Sequence, residues 1–195
     1  MRPAAEVEFV GGHVALDFLN TAEARDEEEP GEALRTPDDL RVWGQRQGLL
    51  ASDSRATRSD SRELRTAVAA REVLYRVVAA RVRGELPADG ELAELSRLVA
   101  AAHDTGILMA EADGRLGWRW PSEELTSVRH SVVHAAAELL ARAPAGRLKE
   151  CPGERCGWLF IDTTKRGNRR WCSMRECGTE AKLSRRRMRQ TAADG

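Results

Sequence analysis

The sequence predicts an α+β fold: a mainly helical N-terminal body with one or two small β-hairpins, followed by a small four-cysteine zinc-binding module that ends in a basic helix. Three observations predict it. Apolar residues recur at helical spacing through much of residues 36–142, interrupted by glycine and proline. All four cysteines fall within residues 151–177. Charge divides at the same place. Residues 1–145 carry 18 arginines and no lysine against 25 acidic groups, a balance of −7, whereas residues 146–190 carry 13 Lys and Arg against 5 acids, a balance of +8. The zero net charge of the 195-residue chain therefore hides an acidic body carrying a basic contact surface. The length suits one ordinary domain plus a small module, divided as a body at residues 1–143, a finger at 144–190 and a tail at 191–195.

In chain order, Phe9 to Leu19 (FVGGHVALDFL) reads as a short strand, a Gly-Gly turn and a second apolar element. This stretch packs into the core, and Asn20 and Thr21 cap or turn the chain. The run Asp26 to Glu29 is a solvated acidic loop. Thr36, Pro37, Asp38 and Asp39 form a helix start: N-cap threonine, proline at the first position, acids in the first turn. That helix ends near Gly48 and turns Leu40 and Trp43 inward. A long helix follows from about Arg62 to Arg83, stopped by Gly84 and Pro87. Another spans about Asp89 to Ala102, with Leu92, Leu95, Leu98 and Val99 inward. Ile107–Ala110 and Leu116–Trp120 flank Asp113-Gly114, a dipeptide that favours a tight hairpin turn. The last body helix opens at Pro121-Ser122-Glu123-Glu124 and runs to about Arg142, with Leu125, Val128, Val132, Val133, Ala136, Leu139 and Leu140 on one face. His130 and His134 fall opposite that face. Their H-x-x-x-H spacing lacks the glutamate a catalytic zinc site needs, so they are expected on the surface. Residues Ala143 to Gly146 make the linker.

The cysteines Cys151, Cys156, Cys172 and Cys177 are spaced C-x4-C-x15-C-x4-C. Two close pairs of thiolates joined by a loop suit tetrahedral closure round Zn2+, and a set of four with no fifth ligand makes the site structural. Two disulfides are the rival pairing. The N-terminus, MRPAAEVEFVGG, has no apolar stretch of a secretory signal, and the expected compartment is the cytoplasm, where paired cysteines stay reduced. An iron–sulphur cluster also fits the spacing. The segment has few large apolar residues, so metal is expected to supply its folding energy, and chelation to unfold it while the rest stands.

The run CGWLFIDTTKRGNRRWCSMRECGTEAK resembles the C-terminal finger of the CGNR zinc-finger family, in its cysteine pairs, the F-x-D after the first pair and the R-R-W-C-S-M block. EFVGGHVALDFLNT resembles the opening of the ABATE domain that accompanies this finger. The resemblance implies a bacterial, stress-responsive transcription regulator that binds DNA. One departure stands out: the family's Asn-Arg after Cys-Gly is here Thr179 and Glu180.

Two cationic elements flank the second cysteine pair. Lys165, Arg166, Arg169 and Arg170 surround Gly167 and Asn168 in a turn. On a helix beginning after Cys177, with Lys182 at zero, Arg185, Arg186 and Arg189 lie at about −60°, +40° and −20°, and Glu180 at about 160°. The four cations form one stripe that Glu180 leaves intact, while Ala181, Ser184 and Met188 are expected to pack on the finger. Arginine suits phosphate and guanine edges, and double-stranded DNA is the expected partner. Trp158 and Trp171 are expected in the core rather than stacked on bases. The body is expected to sense a small-molecule signal or to form a homodimer. Other functions left open are a protein-interaction adaptor and a redox-sensing zinc module. No Gly-rich phosphate loop, nucleophile elbow or open metal position points to an enzyme, and no apolar run reaches the length of a membrane span.

Overall fold

A computed structural model describes residues 2–191 except 26, 29, 56, 58, 145 and 155. Asp26 and Glu29 of the acidic run, Ala145 of the linker and residues 192–195 of the tail lie outside the described residues. The chain is α+β and mainly helical, with three small antiparallel strand pairs among the described residues and the cysteines ahead of helix α6 (Thr179–Thr191). Among the described residues no helix is long and apolar enough to cross a membrane.

The first element departs from expectation. Phe9 and Val10 form no strand; the first regular element is helix α1, Val14–Leu19. The glycines wrap its start instead of turning a hairpin. The Gly11 N–H donates to Asp17 Oδ1 at 2.8 Å, and the His13 ring accepts from the Ala15 N–H. A Cβ at Gly11 would stand 2.8 Å from Leu16 Cβ, and Gly12 has φ +74°, so both positions need glycine. Strands β1 (Ala22–Glu23) and β2 (Gly31–Glu32) then pair.

Helix α2 (Pro37–Arg46) begins on the predicted capping box, with the Asp39 N–H donating to Thr36 Oγ1 at 3.2 Å and the Thr36 N–H donating to Asp39 Oδ2 at 2.8 Å. Helix α3 (Asp60–Arg83) stops at Gly84, φ +75°. Helix α4 (Asp89–Thr105) starts with the Glu91 carboxylate accepting from the Ala88 N–H. Leu95, Leu98 and Val99 are half-buried against the core as expected, but Leu92 is exposed. The predicted hairpin forms from β3 (Ile107–Ala110) and β4 (Leu116–Arg119), with Ile107, Leu108, Met109 and Leu116 exposed.

Helix α5 (Thr126–Arg142) starts later than predicted. The Ser122 carbonyl accepts from the Ala51 N–H at 3.0 Å, a tertiary bond that takes it out of helical pairing, and residues 122–125 form turns and a bend. The surface placement of the histidines is also corrected. His130 is buried with Nδ1 3.0 Å from Thr105 Oγ1, and His134 Nδ1 lies 3.0 Å from His103 Nε2. The face opposite the valines is covered, because α4 and the hairpin lie on it: Trp118 stacks on His103, and Trp120 Nε1 donates to the Ala102 carbonyl.

The main core holds Phe18, Leu40, Trp43, Leu74 and Val128, with Phe18 edge-on to Trp43 at 5.1 Å. It continues into the C-terminal region through Leu148 of β5 (Leu148–Glu150) and Leu159 of β6 (Leu159–Ile161). Burial of each leucine is worth about 2 kcal/mol. Hence the finger is not short of a core: its hairpin shares the body's. A second cluster joins Val7 and Ala33 to Cys151, Trp158, Phe160 and Cys172.

Candidate metal centre and cationic surface

Backbone pairing places the first two cysteines, and a loop and a helical turn the other two. Cys151 follows β5, and its N–H donates to the Trp158 carbonyl at 2.8 Å; the Cys156 N–H closes a turn on Gly153. Cys172 leaves the long loop, with its N–H directed at Cys151 Sγ at 3.4 Å. Cys177 lies in a π-helical turn, Met174–Gly178, that leads straight into α6, Thr179–Thr191. The four sulphurs lie within 4.8 Å of one another, with Cys156–Cys172 at 3.6 Å and Cys172–Cys177 at 3.7 Å. A tetrahedral ion with sulphur ligands at about 2.3 Å spaces them about 3.8 Å apart. The set therefore fits one Zn2+ in a closed structural site. All four cysteines are free, so the disulfide alternative is overturned, and sulphurs this close leave room for a single ion rather than a cluster of irons.

Electrostatics point the same way. Hydrogen bonds from Cys156 and Cys172 lower the pKa of Cys151, and the same neighbour raises those of Cys156 and Cys172. Burial raises that of Cys177. Four thiolates held this close need a metal's charge.

The loop between the cysteine pairs is organised by Asp162. Burial would raise its pKa, but Lys149 Nζ at 2.7 Å, the Thr164 N–H and hydroxyl, and the Arg169 N–H hold it well below the usual carboxylate range. Arg169, predicted for nucleic acid, is turned inward. Its guanidinium lies over the Phe160 ring at 4.5 Å and donates to the carbonyls of Val10 (2.7 Å), Ile161, Trp171 and Cys172.

The other predicted cations face solvent. Lys165 and Arg166 occupy the exposed turn closed by Gly167, and Arg170 lies over the Trp171 ring at 4.9 Å. Lys182, Arg185, Arg186 and Arg189 are exposed and line one groove of α6. Arg170 and Arg185 also line a common cleft of about 300 Å³, which brings loop and helix together. Among the described residues Lys165, Arg166, Lys182, Arg186 and Arg189 form no ion pair. Ala181 and Ser184 are half-buried as expected, whereas Met188 is 62 % exposed rather than packed. Trp158 is buried and Trp171 half-buried, consistent with a core role. A larger cleft, about 930 Å³, opens between the N-terminal segment and α6, and its walls include Cys156, Cys172 and Cys177.

Two residues that hold the site together were not singled out for that work. The Asn20 side chain pairs with both backbone groups of Leu159, and Arg147 donates to the carbonyls of Asp162 and Thr164. Only the position of Asn20 at the end of an apolar run could have hinted at its task.

Residues 12–143 match the ABATE family model, described as "Putative stress-induced transcription regulator". The chain belongs to the ABATE family. Residues 147–190 match the CGNR zinc finger, so this ABATE protein carries the finger its cysteines imply. Neither family is one of enzymes. No curated protein matches the chain. At the departure from the finger's namesake motif, the Thr179 hydroxyl donates to the Met174 carbonyl at 3.1 Å and closes the π-helical turn, while Glu180 is exposed. In this member of the ABATE family the substituted pair thus sits where α6 begins.

Proposed function

We propose that the protein is a bacterial, stress-responsive transcription regulator that binds double-stranded DNA through its zinc finger. The observation that supports this reading is the exposed cationic groove of α6, Lys182, Arg185, Arg186 and Arg189, with Arg170 in a cleft it shares with Arg185, and with Lys165 and Arg166 also facing solvent. An α-helix about 10–12 Å across matches the width of the major groove, about 12 Å. Zinc fixes where the helix starts; Arg169 and Asp162 shape the loop; the exposed cations meet phosphate and base edges.

The division into a body at 1–143, a finger at 144–190 and a tail at 191–195 belongs to the same proposal, as does action in the cytoplasm. So do a small-molecule signal sensed by the body and a homodimer formed through it, for which the exposed Ile107, Leu108, Met109 and Leu116 of the β3–β4 hairpin offer the surface.

The test is fluorescence anisotropy of the zinc-loaded chain on random duplex DNA over a range of salt. If roughly six cations each neutralise a phosphate, log affinity falls against log salt with a slope of about −5. Absence of binding to any duplex at low salt would defeat the proposal, and selection from a random pool would define the site.

A further inference from the structure

Three of the chain's four histidines meet at one end of the body, where the last turn of α4 lies against α5 beside the β3–β4 hairpin. His103 Nε2 and His134 Nδ1 stand 3.0 Å apart while the ring centres are 5.3 Å apart, close to the most that such a contact between ring atoms allows. The two nitrogens therefore face each other head-on. That fits one hydrogen bond between the rings, and not two lone pairs converging on a metal. One ring donates, and the other must keep its facing nitrogen bare. His130 makes the neighbouring link, with Nδ1 3.0 Å from Thr105 Oγ1. The hairpin is built on this junction. Gly106 alone separates α4 from β3, Trp118 stacks on His103 at 4.7 Å, and Trp120 lies 5.5 Å from His134 and donates to the Ala102 carbonyl. A Cβ at Gly106 would stand 2.8 Å from the Trp118 ring, so the joint between helix and hairpin is tightly packed.

The carboxylates round the junction already have cationic partners. On α5, Glu138 pairs with Arg142 at 2.9 Å; Arg129 pairs with Glu63 of α3 at 2.6 Å; on the hairpin, Glu111 pairs with Arg119 at 2.6 Å. Asp104, next to His103 in the chain, is exposed. Burial, then His103, lower the pKa of His134 against the raising effect of Glu138, with Arg142 lowering it further; burial and Arg129 lower that of His130 against Glu63. We propose that the His103–His134 pair is an acid-operated latch for the β3–β4 hairpin: one proton between the facing nitrogens holds α4 to α5, and a second, bound as the medium acidifies, parts them. With both facing nitrogens protonated, two N–H groups and two like charges would meet head-on, so the rings separate. The last turn of α4 then leaves α5 and takes Trp118 and Trp120 with it. The folded junction favours neutral His130 and His134, so their contribution is complete above about pH 6.5, the unperturbed histidine value, and is lost as pH falls below it. On the reading of the hairpin as the homodimer surface, acid also parts the subunits.

The experiment compares hydrogen exchange of the zinc-loaded full chain at pH 7.5 and pH 5, corrected for the intrinsic rate, and follows imidazole protonation by nitrogen NMR over the same range. The paired amides of residues 107–119 should lose protection by about tenfold or more at the lower pH, the factor that one pKa unit of displacement carries, while α2 keeps its protection. His134→Asn keeps an acceptor opposite His103 and cannot take a charge, so its hairpin should be equally protected at both pH values. His103→Gln, which keeps a donor, serves the same purpose should His134→Asn fail to fold. Equal hairpin protection at both pH values in the parent, both rings cationic while the hairpin stays protected, or an acid-labile hairpin in the folded variant would each overturn the proposal. Sedimentation at the same two pH values keeps the dimer separate: a hairpin that opens in acid in a chain that is monomeric throughout would sink the dimer reading and leave the latch standing.

Discussion

The side-chain amide of Asn20 pairs with Leu159 as a neighbouring strand would: its Nδ2 donates to the Leu159 carbonyl at 2.9 Å, and its Oδ1 accepts the Leu159 N–H at 2.8 Å. Asn20 ends α1 and Leu159 begins β6, so one residue ties the body to the metal-bearing hairpin across 139 positions of sequence. One residue further but one, the Ile161 N–H donates to the Gly11 carbonyl at 2.8 Å. The docking is therefore backbone-like and directional.

Asn20→Ala leaves the buried N–H and C=O of Leu159 without partners. The expected loss is about 2–4 kcal/mol, at about 1–3 kcal/mol for each buried group left unsatisfied and with partial relaxation. Urea unfolding of the zinc-loaded chain measures it, and competition with a chelator should show weaker zinc retention because the hairpin that presents Cys151 is loosened.

Asp17 gives a pH dependence of known sign. Burial raises its pKa from 3.8 to about 6, against the lowering effect of the Gly11 N–H, Gln47 and Arg169. The fold favours the protonated form, so this group's contribution is complete below about pH 4 and is lost as pH rises through about 6. A displacement of about two pKa units corresponds to about 3 kcal/mol. Asp17→Asn keeps an acceptor for Gly11 and removes the titration. The fall in stability between pH 4.5 and 7.5 should shrink by about 2 kcal/mol in the variant, as read by denaturant unfolding at both pH values.

Arg169 and Arg186 should separate structure from contact. Arg169→Ala strands several carbonyls around the second cysteine pair and should destabilise by about 2–3 kcal/mol. Arg186→Ala should leave stability within about 0.5 kcal/mol but reduce the magnitude of the salt slope for duplex binding by about 1. Equal effects of the two variants on stability would show that α6 packs more tightly than its exposure indicates.

Removal of metal should act unevenly. Leu148 and Leu159 sit in the shared core, so β5 and β6 stay docked, while the π-helical turn and α6 lose their support. Hydrogen exchange after chelation should show Leu159 and Ile161 still protected and residues 172–190 exchanging freely. Release of the whole segment from 147 onward would contradict the shared core.

Local signals were legible along the chain. Thr36, Pro37 and Asp39 fix the start of α2, Gly84 ends α3, and Asp113-Gly114 makes the hairpin turn, because caps and turns are satisfied by groups a few residues apart. The Ser122 carbonyl escaped the helix for a distant partner, Ala51, and α5 began late as a result. His130 and His134 defeated the helical wheel for a related reason: a wheel finds the most apolar face, and nothing in it shows that α4 and the hairpin cover another. Arg169 reads in sequence like its basic neighbours; only the carbonyls of Val10 and Ile161, brought near by folding, turn it inward.

By itself the sequence determined the tetrathiolate centre, the order of the helices after α1 and the cationic stripe of α6, since ligand count, periodicity and charge are properties of residue type and spacing. Tertiary structure alone decided that the finger's hairpin shares the body's core, that Asn20 and Arg169 bind backbone groups distant in sequence, and that Cys177 faces open clefts. Those outcomes depend on which distant backbone groups and surfaces meet. Hydrogen-bond partners and solvent access are set by that meeting and by nothing local.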